Sequence, residues 1–129
     1  MWSIIKIEEN NFHNLKNSFF EKLGNETQFY IPKAKIQVYK NNALKNKTIN
    51  ILGDYIFCFN EKLSDPRIIQ TLSYTRGLKY FLGGFKLSQK EIEYFISRCK
   101  NLEDKSGFIK HNLFDLKINE FYKFYNGPF

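Results

Sequence analysis

Leu52-Gly53-Asp54-Tyr55-Ile56-Phe57-Cys58-Phe59 is the stretch on which the fold turns. From Tyr55 to Phe59 every position is apolar, and a strand reads that way only when it is covered on both faces, so the segment is expected to be the central strand of a sheet. Asp65-Pro66 follows it, an N-cap residue before proline at the first helical position, and opens a helix through about Ser73. Leu78 to Leu82 then returns as a strand, turned by Gly83-Gly84.

Working outward toward the N-terminus, Trp2 to Ile7 is β-branched and apolar and reads as a first strand. Asn11 is placed to cap a helix on which Phe12, Leu15, Phe19 and Leu23 recur at helical spacing, with Gly24 and Asn25 suited to a left-handed stop. Gln28 to Ile31 is a second short strand closed by Pro32. The alternation from Lys35 to Lys40 gives a half-exposed strand, which Asn41-Asn42-Ala43 turns back into Lys47 to Leu52 as a projecting basic hairpin. Toward the C-terminus, Ser88 and Glu91 have capping-box spacing, Leu87 and Ile92 have hydrophobic-staple spacing, and Ile92, Phe95, Ile96 and Cys99 mark an inward helix face. Asn101 to Gly107 is polar and reads as a linker. Beyond it, Leu113, Leu116, Ile118, Phe121, Tyr122, Phe124 and Tyr125 are too apolar for a free tail and are expected to pack on the domain or on a second copy. The class is α+β, an antiparallel sheet of about four to five strands flanked by helices.

A chain of 129 residues, 43% of them hydrophobic, can bury one core, which predicts one domain plus a tail. Two cysteines, Cys58 and Cys99, make neither a disulfide framework nor a structural zinc site, so a reducing, cytoplasmic setting is expected. Lys6, Glu8 and Glu9 stand where a signal peptide needs an apolar run, and no segment approaches the ~20 apolar residues of a membrane span. The excess of 20 basic over 13 acidic side chains, +7, is unevenly spread. No acid lies between Glu26 and Asp54, where Lys33, Lys35, Lys40, Lys45 and Lys47 stand, nor between Asp65 and Glu91, where Arg67, Arg76, Lys79, Lys86 and Lys90 stand. Two acid-free basic blocks suggest a polyanion or an acidic protein surface as neighbour, although a solvated lysine face would read the same.

Leu52-Gly53-Asp54-Tyr55-Ile56-Phe57, Thr75-Arg76-Gly77-Leu78-Lys79-Tyr80-Phe81 and Lys86-Leu87-Ser88-Gln89-Lys90-Glu91, with the closing Asn119 to Phe129, together resemble the NusG family of transcription elongation factors. In that family a strand Leu-Phe-Pro-Gly-Tyr-Val-Phe-Val precedes a short helix, a Pro/Arg-Gly-Val-x-x-Phe strand and a Pro-(Leu/Ile)-Ser-x-x-Glu helix. A linker then leads to a KOW domain opening Gly-Asp-x-Val-x-Val-x-x-Gly-Pro-Phe. The Thr-Arg-Gly-Leu form is closer to the RfaH-type specialised paralogues. The resemblance implies a NusG N-terminal-like domain at 1–100, a ferredoxin- or RRM-like sandwich, then a linker at 101–117 and the first strand of a truncated KOW-like segment at 118–129. The Phe-Pro-Gly-Tyr turn keeps only Tyr55 and a flexible residue here.

The resemblance also implies roles. Tyr55 and Phe57 lie two apart and so share a face; in the family this motif helps form an apolar depression that receives the tip of the RNA polymerase β′ clamp helices. Alternation alone is equally met by two core aromatics. Thr71 alone is in keeping with the polar His-Thr-Thr run that RfaH-type proteins direct at the β gate loop, since Ile68-Ile69-Gln70 precede it. Arg76 matches an arginine facing the non-template DNA strand, and a solvated loop arginine is the other reading. Lys40, Lys45 and Lys47 of the hairpin are placed near upstream DNA, each a salt-sensitive phosphate contact. The implied factor is a monomer or weak dimer without cofactor.

Catalytic chemistry finds no constellation in the sequence. His13 and His111 stand alone, Asp54 reads as a turn residue, and Gly77, Gly83 and Gly84 have neither Walker nor Gly-x-Gly-x-x-Gly spacing. Cys58 reads as a small buried hydrophobe. An enzyme is therefore not expected. The competing class is a stand-alone RNA or single-stranded DNA binding module, because a small sheet with exposed aromatics and lysines can stack bases.

Overall fold

A computed structural model of the chain describes residues 1–109. Along the chain run β1 (Trp2–Ile7), α1 (Phe12–Leu23), β2 (Gln28–Tyr30), β3 (Lys33–Lys40), β4 (Ala43–Asn50), β5 (Tyr55–Phe59), α2 (Pro66–Leu72), β6 (Leu78–Phe81) and α3 (Gln89–Leu102). Four strands form an antiparallel sheet in the order β2-β5-β1-β6, and β3 with β4 forms a separate hairpin. The α+β class read from the sequence is the class observed. The segments expected as strand, short helix, strand and helix are β5, α2, β6 and α3 in that order.

β5 sits between two neighbours in the sheet and between two apolar layers. On one face Phe57 and Ile4 pack with Ile92, Phe95, Ile96 and Cys99 of α3. On the other, Ile56, Cys58, Ile5 and Ile7 pack with Leu15, Phe19 and Leu23 of α1 and with Leu72 of α2. Phe57 is wholly buried, its ring 5.8 Å from Phe95, 6.3 Å from Tyr30 and 6.4 Å from Trp2. Edge and tilted ring contacts of this kind contribute beyond the burial of area itself.

Helix ends depart from the simplest sequence expectations. α2 opens as expected, with Asp65 accepting from the Arg67 backbone N–H at 2.9 Å. Asn11, by contrast, does not cap α1 with its side chain, which donates instead to Glu8 Oε2 at 2.9 Å. Nor do Ser88 and Glu91 close a capping box, and Leu87 makes no staple: Leu87 is 89% exposed and Ser88 is buried without a cap bond. The cause is the approach. Leu87 N–H donates to Gly84 and Ser88 N–H to Phe85, so the chain winds into α3 through a turn whose inward apolar residue is Phe85.

Gln89, the first residue of α3, ties the helix start to β1 instead. Its Oε1 accepts from the Trp2 N–H at 2.8 Å and its Nε2 donates to the Trp2 and Phe85 carbonyls at 2.6 and 2.7 Å. The side-chain amide thereby extends the sheet beyond β6, whose last ladder bond is the Leu82 N–H to Ile4. At the far end of α3, Tyr30 donates to Glu103 Oε1 at 3.0 Å, and burial pushes its phenol well above the usual range.

The polar stretch read as linker continues α3 to Leu102 and then folds back. Ile109 is buried, donates to the Lys33 carbonyl at 2.8 Å and bridges Ala34. His111 and the apolar segment at 113–129, with its expected strand, lie outside the described residues. Replacing Gln89 by Ala should lower stability by about 1–2 kcal/mol, since it strands the Trp2 amide and two carbonyls that water reaches only partly. Faster hydrogen exchange at the Trp2 amide, with a lower urea midpoint, is the measurement that checks it.

Candidate functional site

The register of the sheet brings three of the sequence-selected features to one end. Antiparallel pairing puts the C-terminal end of β1 beside the start of β5 and of β6, and β2 enters the hairpin at the same end. There the root of β3 and β4 is tied by Ile51 N–H to Pro32, Asp54 accepts from Ile7 N–H, and Glu8 N–H donates to Gly77.

Across the strands at this end runs a row, Tyr55 on β5, Lys6 on β1 and Tyr80 on β6. The row exists because of a β-bulge at Lys79. Lys6 pairs with Tyr80 while the next residue, Ile7, pairs with Leu78, so Leu78 points to the α1 layer and Tyr80 to the opposite face. The Tyr55 and Tyr80 hydroxyls are hydrogen-bonded at 2.7 Å, and Lys6 Nζ stands 5.3 and 5.9 Å from the two ring centroids. Tyr55 is half-buried and Tyr80 is exposed.

Tyr55 and Phe57 do share a face, as their spacing requires, but they differ in access. Phe57 lies under α3 and belongs to the core, which corrects its reading as a surface anchor: the helix that the sequence itself specifies, through Phe95, covers it. Tyr55 is beyond that cover, where Tyr80 and Lys6 replace helix side chains. Sequence reasoning missed Lys6 and Tyr80; a bulge breaks the alternation that would have flagged Tyr80.

Arg76 occupies a turn built by its neighbours. Leu78 N–H donates to Thr75 at 3.1 Å and Gly77 takes φ +96°. A Cβ at Gly77 would lie 2.6 Å from the Asn11 carbonyl oxygen, so only glycine allows this approach of β6 to α1. The turn presents Arg76 to solvent, without hydrogen bond or ion pair to the described residues, beside Tyr74, which is 85% exposed. Thr71 is exposed on the last turn of α2, its hydroxyl donating to the Arg67 carbonyl at 2.9 Å.

The hairpin is longer than the sequence alone implies, pairing from Lys40 and Ala43 down to Lys33 and Asn50. Asn41 and Asn42 both take positive φ, 54° and 61°, the two-residue turn that suits strand twist. Direct pairs share a face, so Val38 with Lys45, Ile36 with Lys47 and Lys40 with Ala43 put Lys40, Lys45 and Lys47 on one side, together with the half-buried Ile36 and Val38. The opposite side carries Tyr39 paired with Leu44, 77% and 57% exposed. Lys33 and Lys35 lie on that same side, so each side of the arm carries both lysines and apolar side chains.

No group of His, Cys, Asp and Glu among the described residues could hold a metal ion, and no helix among them is long and apolar enough to cross a membrane. No protein-family model matches the chain, and no curated protein matches it.

Phe57→Ala should cost about 3–5 kcal/mol in urea unfolding, as for a buried Phe, while Tyr80→Phe at the exposed row should cost at most about 1 kcal/mol. Equal costs would mean that the row is core as well. Burial also pushes the Cys58 thiol up to about 12. The unfolded thiol ionises near ~8.5. Because the folded value is raised, the stability tied to Cys58 is whole below the unfolded value and falls as pH rises from there toward the folded one. Cys58→Ala should therefore show a shallower alkaline decline than the parent chain, and the thiol should resist alkylation at pH 8 until denaturant is added.

Proposed function

We propose that the protein is a NusG-like transcription elongation factor of the RfaH-type, binding RNA polymerase through the open end of its sheet and contacting DNA through the hairpin and the Arg76 turn. One observation carries this reading: the root of the basic arm, the Tyr55 row and the Arg76 turn meet at one end of the sheet. A clamp-binding factor beside a transcription bubble needs an apolar-aromatic contact and separate cationic contacts facing the same assembly. The motif-bearing segments also occupy strand, short helix, strand and helix in the order that the resemblance implies.

In this reading Tyr55, with Tyr80 and Lys6 beside it, meets the tip of the β′ clamp helices, while Phe57 supports it from the core. Thr71 on α2 is the residue offered to the β gate loop. Arg76 approaches the non-template strand, and Lys40, Lys45 and Lys47 follow upstream phosphates. Holding polymerase and DNA together favours the closed, processive enzyme and alters pausing, termination or antitermination. No covalent step is required. The competing reading, a stand-alone RNA or single-stranded DNA module, needs an open sheet face for stacking, and here α3 packs on one face and α1 with α2 on the other.

Two measurements test the proposal. Tyr55→Ala should weaken binding to core RNA polymerase by about 2 kcal/mol with a urea midpoint close to that of the parent chain; unchanged affinity removes Tyr55 from the interface. Neutralising Lys40, Lys45, Lys47 and Arg76 to Gln should lower affinity for a bubble template and reduce the salt slope by about one unit per lost phosphate contact. An unaltered slope takes DNA out of the mechanism.

A further inference from the structure

The Lys6 ammonium is held against two aromatic rings with no hydrogen bond or ion pair to a described residue, although it carries three donors. Ring faces attract a cation but satisfy none of its N–H groups. Beside it the two phenols share one hydrogen bond. Either hydroxyl can be the donor in that bond; in the arrangement where Tyr55 donates, the proton of the more exposed Tyr80 hydroxyl is directed to a ligand. An ammonium and a phenol at one half-buried spot are two donors facing a common acceptor.

We propose that Lys6, Tyr55 and Tyr80 form a carboxylate site that takes a single aspartate or glutamate side chain of a protein partner. A carboxylate has two acceptor oxygens, one for the Lys6 ammonium and one for the Tyr80 hydroxyl, and charge-assisted bonds of this kind are the strong ones. Partial burial of the rings raises their value, because less water competes. Charge favours a lone carboxylate over a run of phosphates. The row offers one cation, and the exposed acids Glu8 and Asp54 stand at the same end of the sheet, tied there through Gly77 and Ile7. A nucleic-acid strand leaving the row would pass them, whereas a protein side chain need not. The assignment of RNA polymerase as the bearer of that carboxylate rests on the proposed function; the site itself does not.

The experiment therefore has two arms. In the first, the full 129-residue chain is titrated with acetyl-Leu-Glu-Leu-amide, with its Gln counterpart and with dithymidylate, and the Lys6 side-chain and Tyr80 ring resonances are followed by NMR. Shifts with the Glu peptide and none with the Gln peptide are expected. Larger shifts with dithymidylate, or no shift with either peptide, overturn the proposal. In the second arm, Lys6→Met and Tyr80→Phe should each weaken binding to core RNA polymerase about tenfold, the loss of one bond to a charged group. The double variant should lose less than the product, because one carboxylate joins both. Polymerase that binds all variants equally overturns polymerase as the bearer of the carboxylate and leaves the docking reading intact, the site itself then standing or falling on the peptide arm. A positive peptide arm with no polymerase binding supports the carboxylate site and overturns the docking reading instead.

Discussion

Two apolar layers meeting on the strand Tyr55–Phe59 are the constraint from which the rest of the structure follows. A five-residue strand buried on both faces cannot persist without cover on each, and the cover has to come from elements long enough to span it. α3 supplies one layer through four inward residues, and α1 supplies the other through three. The flanking strands follow from the same demand: β1 and β2 satisfy the backbone of β5 on its two edges. The chain between β2 and β5 then has to leave the sheet and return to it, and it does so as an arm with little core of its own.

The incomplete reach of α3 decides where a surface can be. Phe57 and Tyr55 point the same way, yet one is sealed beneath Phe95 while the other lies against Lys6 and Tyr80. The same face of one strand is therefore fully buried at its middle and only half-buried at its start. This is a physical reason why the two residues cannot share a role, even though a spacing argument treats them alike.

Most of the fold was legible because its signals were strong periodicities: the apolar run of β5, the helical spacing of Leu15, Phe19 and Leu23, and the inward face Ile92 to Cys99. Asp65-Pro66 and Gly24 announced helix ends correctly. What failed were side-chain details that depend on a distant partner. Ser88 loses its capping role to the approach of Phe85, and Gln89 is drawn to Trp2, far from it in sequence. The candidate site was half legible. Arg76 and the three hairpin lysines stand where the acid-free blocks placed them. Lys6 and Tyr80 were hidden because a bulge at Lys79 decides their meeting, and no local pattern marks a bulge.

The hairpin poses a further question of mechanics, since a lone two-stranded sheet is marginal in water. Here the root is secured, with Ala34 buried, Ile51 bonded to Pro32 and Ile109 bonded to Lys33. Beyond the root, the arm is held by the two-asparagine turn and by the cross-strand pairs Ile36 with Lys47 and Val38 with Lys45. Eight residues of extended chain reach roughly 26 Å, so the charged tip stands well clear of the sheet. Its lysines can bend toward a phosphate backbone without disturbing the row at Tyr55, and a neutral arm would still be held by the same root. Under the proposed function this separation would let the two contacts respond differently to salt, one governed by buried area and the other by counterion release.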